Sequence, residues 1–269
     1  MKRAIGAVLT VLLGAGFIAL VGLGFQSQKY QAPDGILKAQ SCGTSVVNGQ
    51  STPHVILHFS TWPDASGQMK TAAFTTNAST TPATNPGAAN ATGCPQWQMS
   101  SPGVPASGKT VPIHPGGNPG WPAYSPSSDF QVPAGALVTV VWDQYDSGEA
   151  LNNNYFASPR GIYGDLLVNG QATTAIEEGN VAHTFTVRPE AGVDSGFFLN
   201  VASPANHGNK DDPNDDPAQT PPEVVEFSFI AGSKGLYAWN CEFPCGSGVG
   251  GFGAVMGAYG YMSGYLHVV

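Results

Sequence analysis

The stretch that decides the fold is FQVPAGALVTVVW, residues 130–142, in which two runs of apolar residues flank the sequence Pro-Ala-Gly. Valine, threonine, phenylalanine and tryptophan favour strands, whereas proline followed closely by glycine favours a turn. The pattern therefore predicts a strand, a tight turn and a second strand. The segment VAHTFTV, residues 181–187, alternates with a period of two and places His183, Phe185 and Val187 on one face of a further strand.

Similar short segments recur on both sides of these two, separated by turn residues. The chain has 35 glycines and 22 prolines in 269 residues, a content that favours many turns and short strands over long helices. No segment has a convincing pattern for a soluble helix. The sequence therefore predicts an all-β sandwich or barrel. The further predicted strands are residues 54–62, 196–201, 223–230, 235–241 and 265–269, and residues 164–170 predict a short strand followed by a turn.

The charge of the chain limits its partners. The net charge is −8, and charged residues make up 10% of the chain against about 25% in an average soluble domain. An acidic chain without a basic patch repels polyanions, so we expect no nucleic-acid partner. A basic protein partner suits such a surface better.

The N-terminal segment has the pattern of a membrane anchor. Lys2 and Arg3 precede 22 residues without a charge, residues 4–25, which is long enough to span a bilayer. The two basic residues favour the cytoplasmic side, which places the remaining chain outside. We expect a single-pass protein of the cell membrane with an extracytoplasmic C-terminal domain. A cleaved signal peptide is the alternative, and it gives the same compartment.

We divide the chain into three parts by pattern. Residues 1–25 are the anchor or signal segment, residues 26–128 hold a linker over 26–41, a first strand and a low-complexity loop region, and residues 129–269 hold the regular strands. Cys42 and Cys94 flank the first strand and much of that loop, and disulfides are allowed in this compartment. We expect these two cysteines to form a disulfide, although spacing alone proves no pairing.

The end of the chain carries the candidate chemistry, in the stretch from Cys241 to Val269. Cys241 ends the predicted strand GLYAWNC, Cys245 follows four residues later, and Met262 precedes the last strand. Two thiols and a thioether so close in sequence are consistent with a copper site, a disulfide or a purely structural role. Thiolate and thioether stabilise Cu(I), while imidazole suits both oxidation states of copper. His183 also lies at a strand end, where it could meet Cys241.

The order of these segments resembles the cupredoxin family. A VPAG turn leads into a strand, a histidine begins a later strand, and a cysteine and a Met-x-Gly ending follow, as in plastocyanin-like and sulfocyanin-like proteins. The Cys-x3-Cys-Gly stretch at Cys241 and Cys245 instead resembles the cysteine pair of cytochrome c oxidase subunit II. The resemblance covers residues 129–269. It implies a cupredoxin-like Greek-key β-sandwich with long loop insertions, beside the single N-terminal transmembrane helix.

The resemblance also implies a copper cofactor and its ligands. His183 and Cys241 would be equatorial ligands and Met262 the axial one, while Cys245 would be a further ligand or the disulfide partner of Cys241. One departure is serious, because both copper families place a histidine between the cysteine and the methionine and residues 242–261 contain none. Either another residue takes that place or the site is degenerate. The replacements that the sequence offers are Cys245, Met256 and, from the acidic loop, His207.

The expected function is one-electron transfer rather than catalysis on a substrate, so we do not expect an enzyme. The partner would be a redox protein or a respiratory complex. Two alternatives stay open: a copper-free cupredoxin-like structural or surface interaction protein, and a subunit II-like component of a larger oxidase. Free thiols at Cys241 and Cys245 beside His183 would support copper, whereas a disulfide would argue against it.

Overall fold

The computed structural model describes residues 14, 35–70, 110–114, 116–147, 153–193, 196–206, 222–246 and 253–269. The chain divides into two units, Met1–Gln31 and Ala32–Val269. The predicted anchor over residues 4–25 lies outside the described residues except for Gly14, so it stays a prediction. Within the described ranges, no helix combines the length and hydropathy needed to cross a bilayer.

Strands are the main regular structure in the part of the second unit that the structure describes. Its short helix α1 spans Asn154–Ala157, and Asn153 caps it by accepting from the backbone N–H groups of Tyr155 and Phe156. In the part of the chain that the structure describes, the strands are β1 Leu37–Lys38, β2 Gln40–Val47, β3 Gln50–Trp62, β4 Gln68–Lys70, β5 Thr110–Pro112, β6 Ala123–Ser125, β7 Phe130–Val132, β8 Leu137–Gln144, β9 Leu166–Val168, β10 Gln171–Thr173, β11 Val181–Pro189, β12 Leu199–Pro204, β13 Glu223–Ile230, β14 Gly235–Asn240 and β15 Ser263–Val268.

Most of these strands form two sheets. The first sheet has the order β1-β7-β15-β14-β11-β12, with β7 parallel to both of its neighbours and the other pairs antiparallel. The second sheet has the order β10-β9-β13-β8-β3-β2, with β6 also paired to β3 and with β3 parallel to β8. Strands β4 and β5 form a separate pair. The predicted all-β class is therefore confirmed.

Aromatic side chains from both sheets fill the core between them. Phe59 on β3 and Trp142 on β8 contribute from the second sheet, and Phe185 on β11 and Trp239 on β14 contribute from the first. The ring centroids of Phe59 and Phe185 lie 5.4 Å apart, and those of Phe185 and Trp239 lie 5.3 Å apart. All four side chains are almost fully buried. Contact between residues of the two sheets makes this unit a β-sandwich.

The long patterned strands lie where the sequence predicts them. Residues 130–142 form β7 and β8 around a turn at Pro133–Gly135, in which Ala136 N donates to Pro133 O and Gly135 adopts a φ of +67°. Glycine is favoured at such a positive φ because it has no Cβ. The strands predicted at residues 54–62, 181–187, 223–230 and 235–241 are confirmed as β3, β11, β13 and β14, within a few residues at each end.

The beginning of the second unit corrects one expectation. Residues 26–41 are not all linker, because β1 and the start of β2 lie within that range. β2 is rich in small polar residues and contains a glycine, so its own propensity for a strand is weak. Its pairing with β3, from Gln40↔Ile56 to Val47↔Gln50, supplies the order that the local sequence does not indicate.

Candidate metal centre

His183 lies near the start of β11, between the two sheets. Its side chain is fully buried, and the register of β11 against β12 shifts between Val181 and His183. The Nδ1 atom of the ring lies 3.0 Å from Cys245 Sγ and 3.9 Å from Cys241 Sγ. The opposite ring nitrogen, Nε2, lies 2.7 Å from Asp146 Oδ2. The imidazole therefore bridges two thiols on one side and a carboxylate on the other.

Cys241 is held by contacts with the strands on both sides of it. It follows β14 directly, and its backbone N–H donates to Met262 O over 2.8 Å, which extends the pairing of β14 with β15 by one residue. The Thr184 backbone N–H, on β11, donates to Cys241 Sγ over 3.4 Å. The next residue, Glu242, donates its backbone N–H to Thr184 Oγ1 over 2.8 Å. These contacts fix the position of the first thiol.

Cys245 reaches the same place from the turn that follows. Its Sγ lies 3.4 Å from Cys241 Sγ and donates to Phe243 O over 2.9 Å. Both cysteines are buried, and each carries a thiol. A disulfide requires sulfur atoms about 2.05 Å apart, so the structure has two thiols here rather than the disulfide alternative. Gly246, with a φ of +90°, turns the chain away immediately after Cys245.

Electrostatics couple the ring to the first thiol. Burial lowers the pKa of His183, but hydrogen bonds with Asp146 and Cys241 outweigh burial and raise that pKa to about 9. Burial raises the pKa of Cys241, but hydrogen bonds from Cys245 and His183 outweigh it and leave the Cys241 pKa well below its ordinary value. The metal-free centre therefore favours an imidazolium beside a thiolate. Thiolate is the form of cysteine that binds metal ions.

The donor set fits a single transition-metal ion. The ligand atoms of His183, Cys241 and Cys245 all lie within 4.8 Å of one another, and in the described ranges no other group of three His, Cys, Asp or Glu residues meets that criterion. With bonds of ~2.3 Å to sulfur and ~2.0 Å to imidazole nitrogen, as in zinc sites, two ligand atoms of one ion lie about 3–4 Å apart. The separations between the three atoms match this range. Two thiolates and one imidazole suit a soft or borderline ion such as copper.

Met262 is fully buried. Its backbone oxygen accepts the hydrogen bond from Cys241 N. That bond places the methionine backbone next to the first thiol. The role of Met262 as an axial ligand stays a prediction. Met256, which the sequence offered as a replacement ligand, is half-buried in the preceding loop.

The other described histidines lie away from the cluster. His54 lies between Ser45 Oγ and Thr139 Oγ1, at 2.9 and 2.8 Å from its two ring nitrogens. In the same described part of the chain, His58 pairs with Asp143 over 2.7 Å, the His114 ring stacks on Tyr261 with centroids 4.4 Å apart, and His267 Nε2 lies 4.0 Å from Asp129 Oδ2. His207 lies outside the described residues. No second imidazole joins His183 among the histidines that the structure describes.

Of the two cysteines in the predicted disulfide between Cys42 and Cys94, the structure describes Cys42. Cys42 is buried on β2 and is disulfide-bonded. Cys94 lies outside the described residues, so its pairing with Cys42 stays a prediction.

Two residues of the centre were not predicted from the sequence. Asp146 follows β8, on the second sheet, and meets His183 only because the two sheets pack face to face. Thr184 contributes a backbone N–H and a side-chain oxygen to the segment that carries Cys241. The position of Asp146 just beyond a predicted strand end was the available signal, but nothing in its spacing links it to His183.

Comparisons with known proteins give weak likenesses. The structure titled "Reduced rusticyanin, NMR" matches with a TM-score of 0.29 and 13% identity, covering 84% of this chain and 86% of its own. The structure titled "Auracyanin B structure in space group P65" matches with a TM-score of 0.26 and 14% identity, covering 55% of this chain and 80% of its own. No protein-family model and no curated protein sequence matches the chain. The fold described above therefore rests on the strand pairing itself.

Proposed function

We propose that this chain is a cupredoxin-like protein that binds one copper ion at His183, Cys241 and Cys245, with Met262 as a fourth ligand, and carries single electrons. The observation that supports this most directly is the buried cluster of one imidazole nitrogen and two thiol sulfurs at separations of 3.0, 3.4 and 3.9 Å. Cys245 takes the place of the histidine that is missing from the loop.

The surroundings of the cluster suit an electron carrier. When bound, copper would supply a centre that exchanges one electron by changing oxidation state. The chain's contribution is a fixed set of ligands: Cys241 is anchored by pairing with β11 and β15, and His183 is anchored by Asp146. Ligands held on rigid strands move little when the charge of the centre changes. Burial of the cluster also excludes water, whose reorientation would oppose a rapid charge change.

The proposal extends to the cellular setting of the protein. Residues 1–25 would anchor it to the cell membrane with residues 26–269 extracytoplasmic, and its partner would be a redox protein or a component of a respiratory chain. Uncharged residues 4–25 behind Lys2 and Arg3 are the support for the anchor. A subunit II-like component of a larger oxidase is a narrower version of the same proposal.

Copper binding is tested on the full chain, purified in detergent with Cys241 and Cys245 as thiols and with any reductant removed before the metal is added. After incubation with Cu(II) and dialysis, we expect about one copper per chain and a coloured thiolate-to-copper charge-transfer band. A colourless protein that retains no copper would reject the proposal in favour of the copper-free structural or interaction protein.

Single substitutions identify the ligands. His183→Gln should lose copper, whereas His58→Gln should retain it, although both histidines pair with a carboxylate over 2.7 Å. Cys241→Ser should abolish copper binding because Cys241 is the more rigidly held thiol, while Cys245→Ser should retain copper with an altered spectrum. Equal loss of copper in both cysteine variants would instead indicate that both thiolates are required.

A further inference from the structure

We infer that Asp146 is a positioning residue of this centre, which holds the His183 ring in the tautomer and orientation that present Nδ1 to the two thiols. The inference rests on the proposed function for the identity of the ion but not for the geometry of the ring. Asp146 Oδ2 lies 2.7 Å from His183 Nε2, the His183 side chain is fully buried, and the Asp146 side chain is 12% exposed. A buried ring with a carboxylate on one edge and two thiols on the other has little freedom to rotate.

The backbone of Asp146 is held in place by residues at the ends of two strands. The Asp146 backbone oxygen accepts from Asn206 N over 3.0 Å and from Gln144 Nε2 over 2.9 Å. Asn206 Nδ2 also donates to Gln144 O over 3.3 Å. Gln144 ends β8 of the second sheet, and Asn206 follows β12 of the first sheet. Asp146 therefore follows a strand of the second sheet, contacts a histidine of the first sheet, and is held by hydrogen bonds to residues at the ends of strands from both sheets.

The chemistry of the pair determines which ring nitrogen is free. A neutral imidazole carries a hydrogen on one nitrogen and a lone pair on the other, and an ionised carboxylate can only accept. Asp146 therefore requires the hydrogen on Nε2, which leaves the lone pair on Nδ1, the atom that lies 3.0 Å from Cys245 Sγ. A carboxylate behind a ligating histidine also increases its basicity, and loss of such a partner typically weakens metal binding by about 10- to 100-fold.

The experiment compares substitutions at Asp146, just beyond β8, with a substitution of a matched carboxylate on β8 itself. Asp146→Leu removes the acceptor, Asp146→Asn keeps an acceptor oxygen without the charge, and Asp143→Leu removes the carboxylate that pairs with His58. In Cu(I) competition with a chelator, we expect Asp146→Leu to bind about 10- to 100-fold more weakly than the unaltered chain. Asp146→Asn should recover much of that loss, and Asp143→Leu should match the unaltered chain.

A second measurement needs no metal. Nitrogen NMR of the metal-free chain, recorded at a pH at which the His183 ring is neutral, should show the hydrogen of His183 on Nε2 in the unaltered protein, as the 2.7 Å contact with Asp146 requires. In Asp146→Leu the two tautomers should mix. If the unaltered protein carries the hydrogen on Nδ1, or if Asp146→Leu changes neither the tautomer nor the copper affinity, the inference is overturned. Failure of the unaltered chain to bind copper would reject the proposed function alone, because the tautomer still tests Asp146.

Discussion

Thr184→Val offers a direct measure of how the ligand segment is fastened to the first sheet. The substitution keeps the shape of a fully buried side chain but removes the oxygen that accepts from Glu242 N over 2.8 Å. Thr186 Oγ1, which also contacts this oxygen, keeps a second partner in Asn200 Oδ1 at 2.8 Å. One partly buried N–H is then left without its acceptor. A group of this kind costs about 1–3 kcal/mol, so the free energy of unfolding should fall by that amount.

The assay is urea unfolding of the metal-free chain with the Cys42 disulfide intact, followed by the fluorescence of its buried tryptophans. Thr52→Val is the matched control, since the bond of Thr52 Oγ1 in the described part of the chain is an exposed one of 3.3 Å to Gln50 O. Exposed substitutions of this kind usually change stability by less than about 0.5 kcal/mol. A Thr184→Val loss no larger than that of Thr52→Val would refute the assignment of Thr184 as the anchor of this segment. If the assignment is right, copper affinity should fall as well, because Glu242 directly follows Cys241.

Three further outcomes follow from the same geometry. The His183 imidazole should titrate near pH 9 by NMR in the metal-free chain. Its contribution to stability is then complete below the unfolded pKa of ~6.5 and is lost as the pH rises through about 9. A titration midpoint below pH 6.5 would contradict this. Gly264→Ala should lower the melting temperature, because its Cβ would lie 1.9 Å from Ser128 O. Gly257→Ala should leave the melting temperature unchanged, because the nearest atom to its Cβ would be Ala254 O at 3.8 Å. Equal melting temperatures of the two variants would count against the close approach at Gly264. Phe185→Ala should cost about 3–5 kcal/mol of unfolding free energy at the centre of the core, and a calorimetric loss under about 1 kcal/mol would show that the core is packed differently.

The sequence predicted the elements whose local pattern is strong. β8, β11 and β13 are six or more residues long and rich in β-branched and aromatic side chains, so their propensity agrees with the structure. β1 and β10 are two and three residues long and exist only through pairing with a neighbour. Such strands have no signal of their own, because the energy that orders them comes from residues distant in the chain.

The residues of the candidate centre also differ in whether the sequence could predict them. His183, Cys241 and Cys245 could be proposed together because their order along the chain resembles a known pattern, and the pairing of β11 with β14 brings them close. Their role as ligands stays a prediction. Asp146 could not be proposed, because its contact with His183 depends on how one sheet lies over the other rather than on strand order.

The burial of the centre has a consequence for the speed of metal exchange. The proposed ligands His183, Cys241, Cys245 and Met262 are at most 2% exposed, so none of them would be accessible to an ion or a chelator in solution. Loading and removal must then await a local opening of the segment Cys241–Gly246, and regions open at free energies set by their own contacts. The rate at which a chelator strips the ion would therefore reach a plateau as its concentration rises. That plateau is the opening rate of the protein, and it makes the lifetime of the bound ion a property of the fold as much as of the ligands.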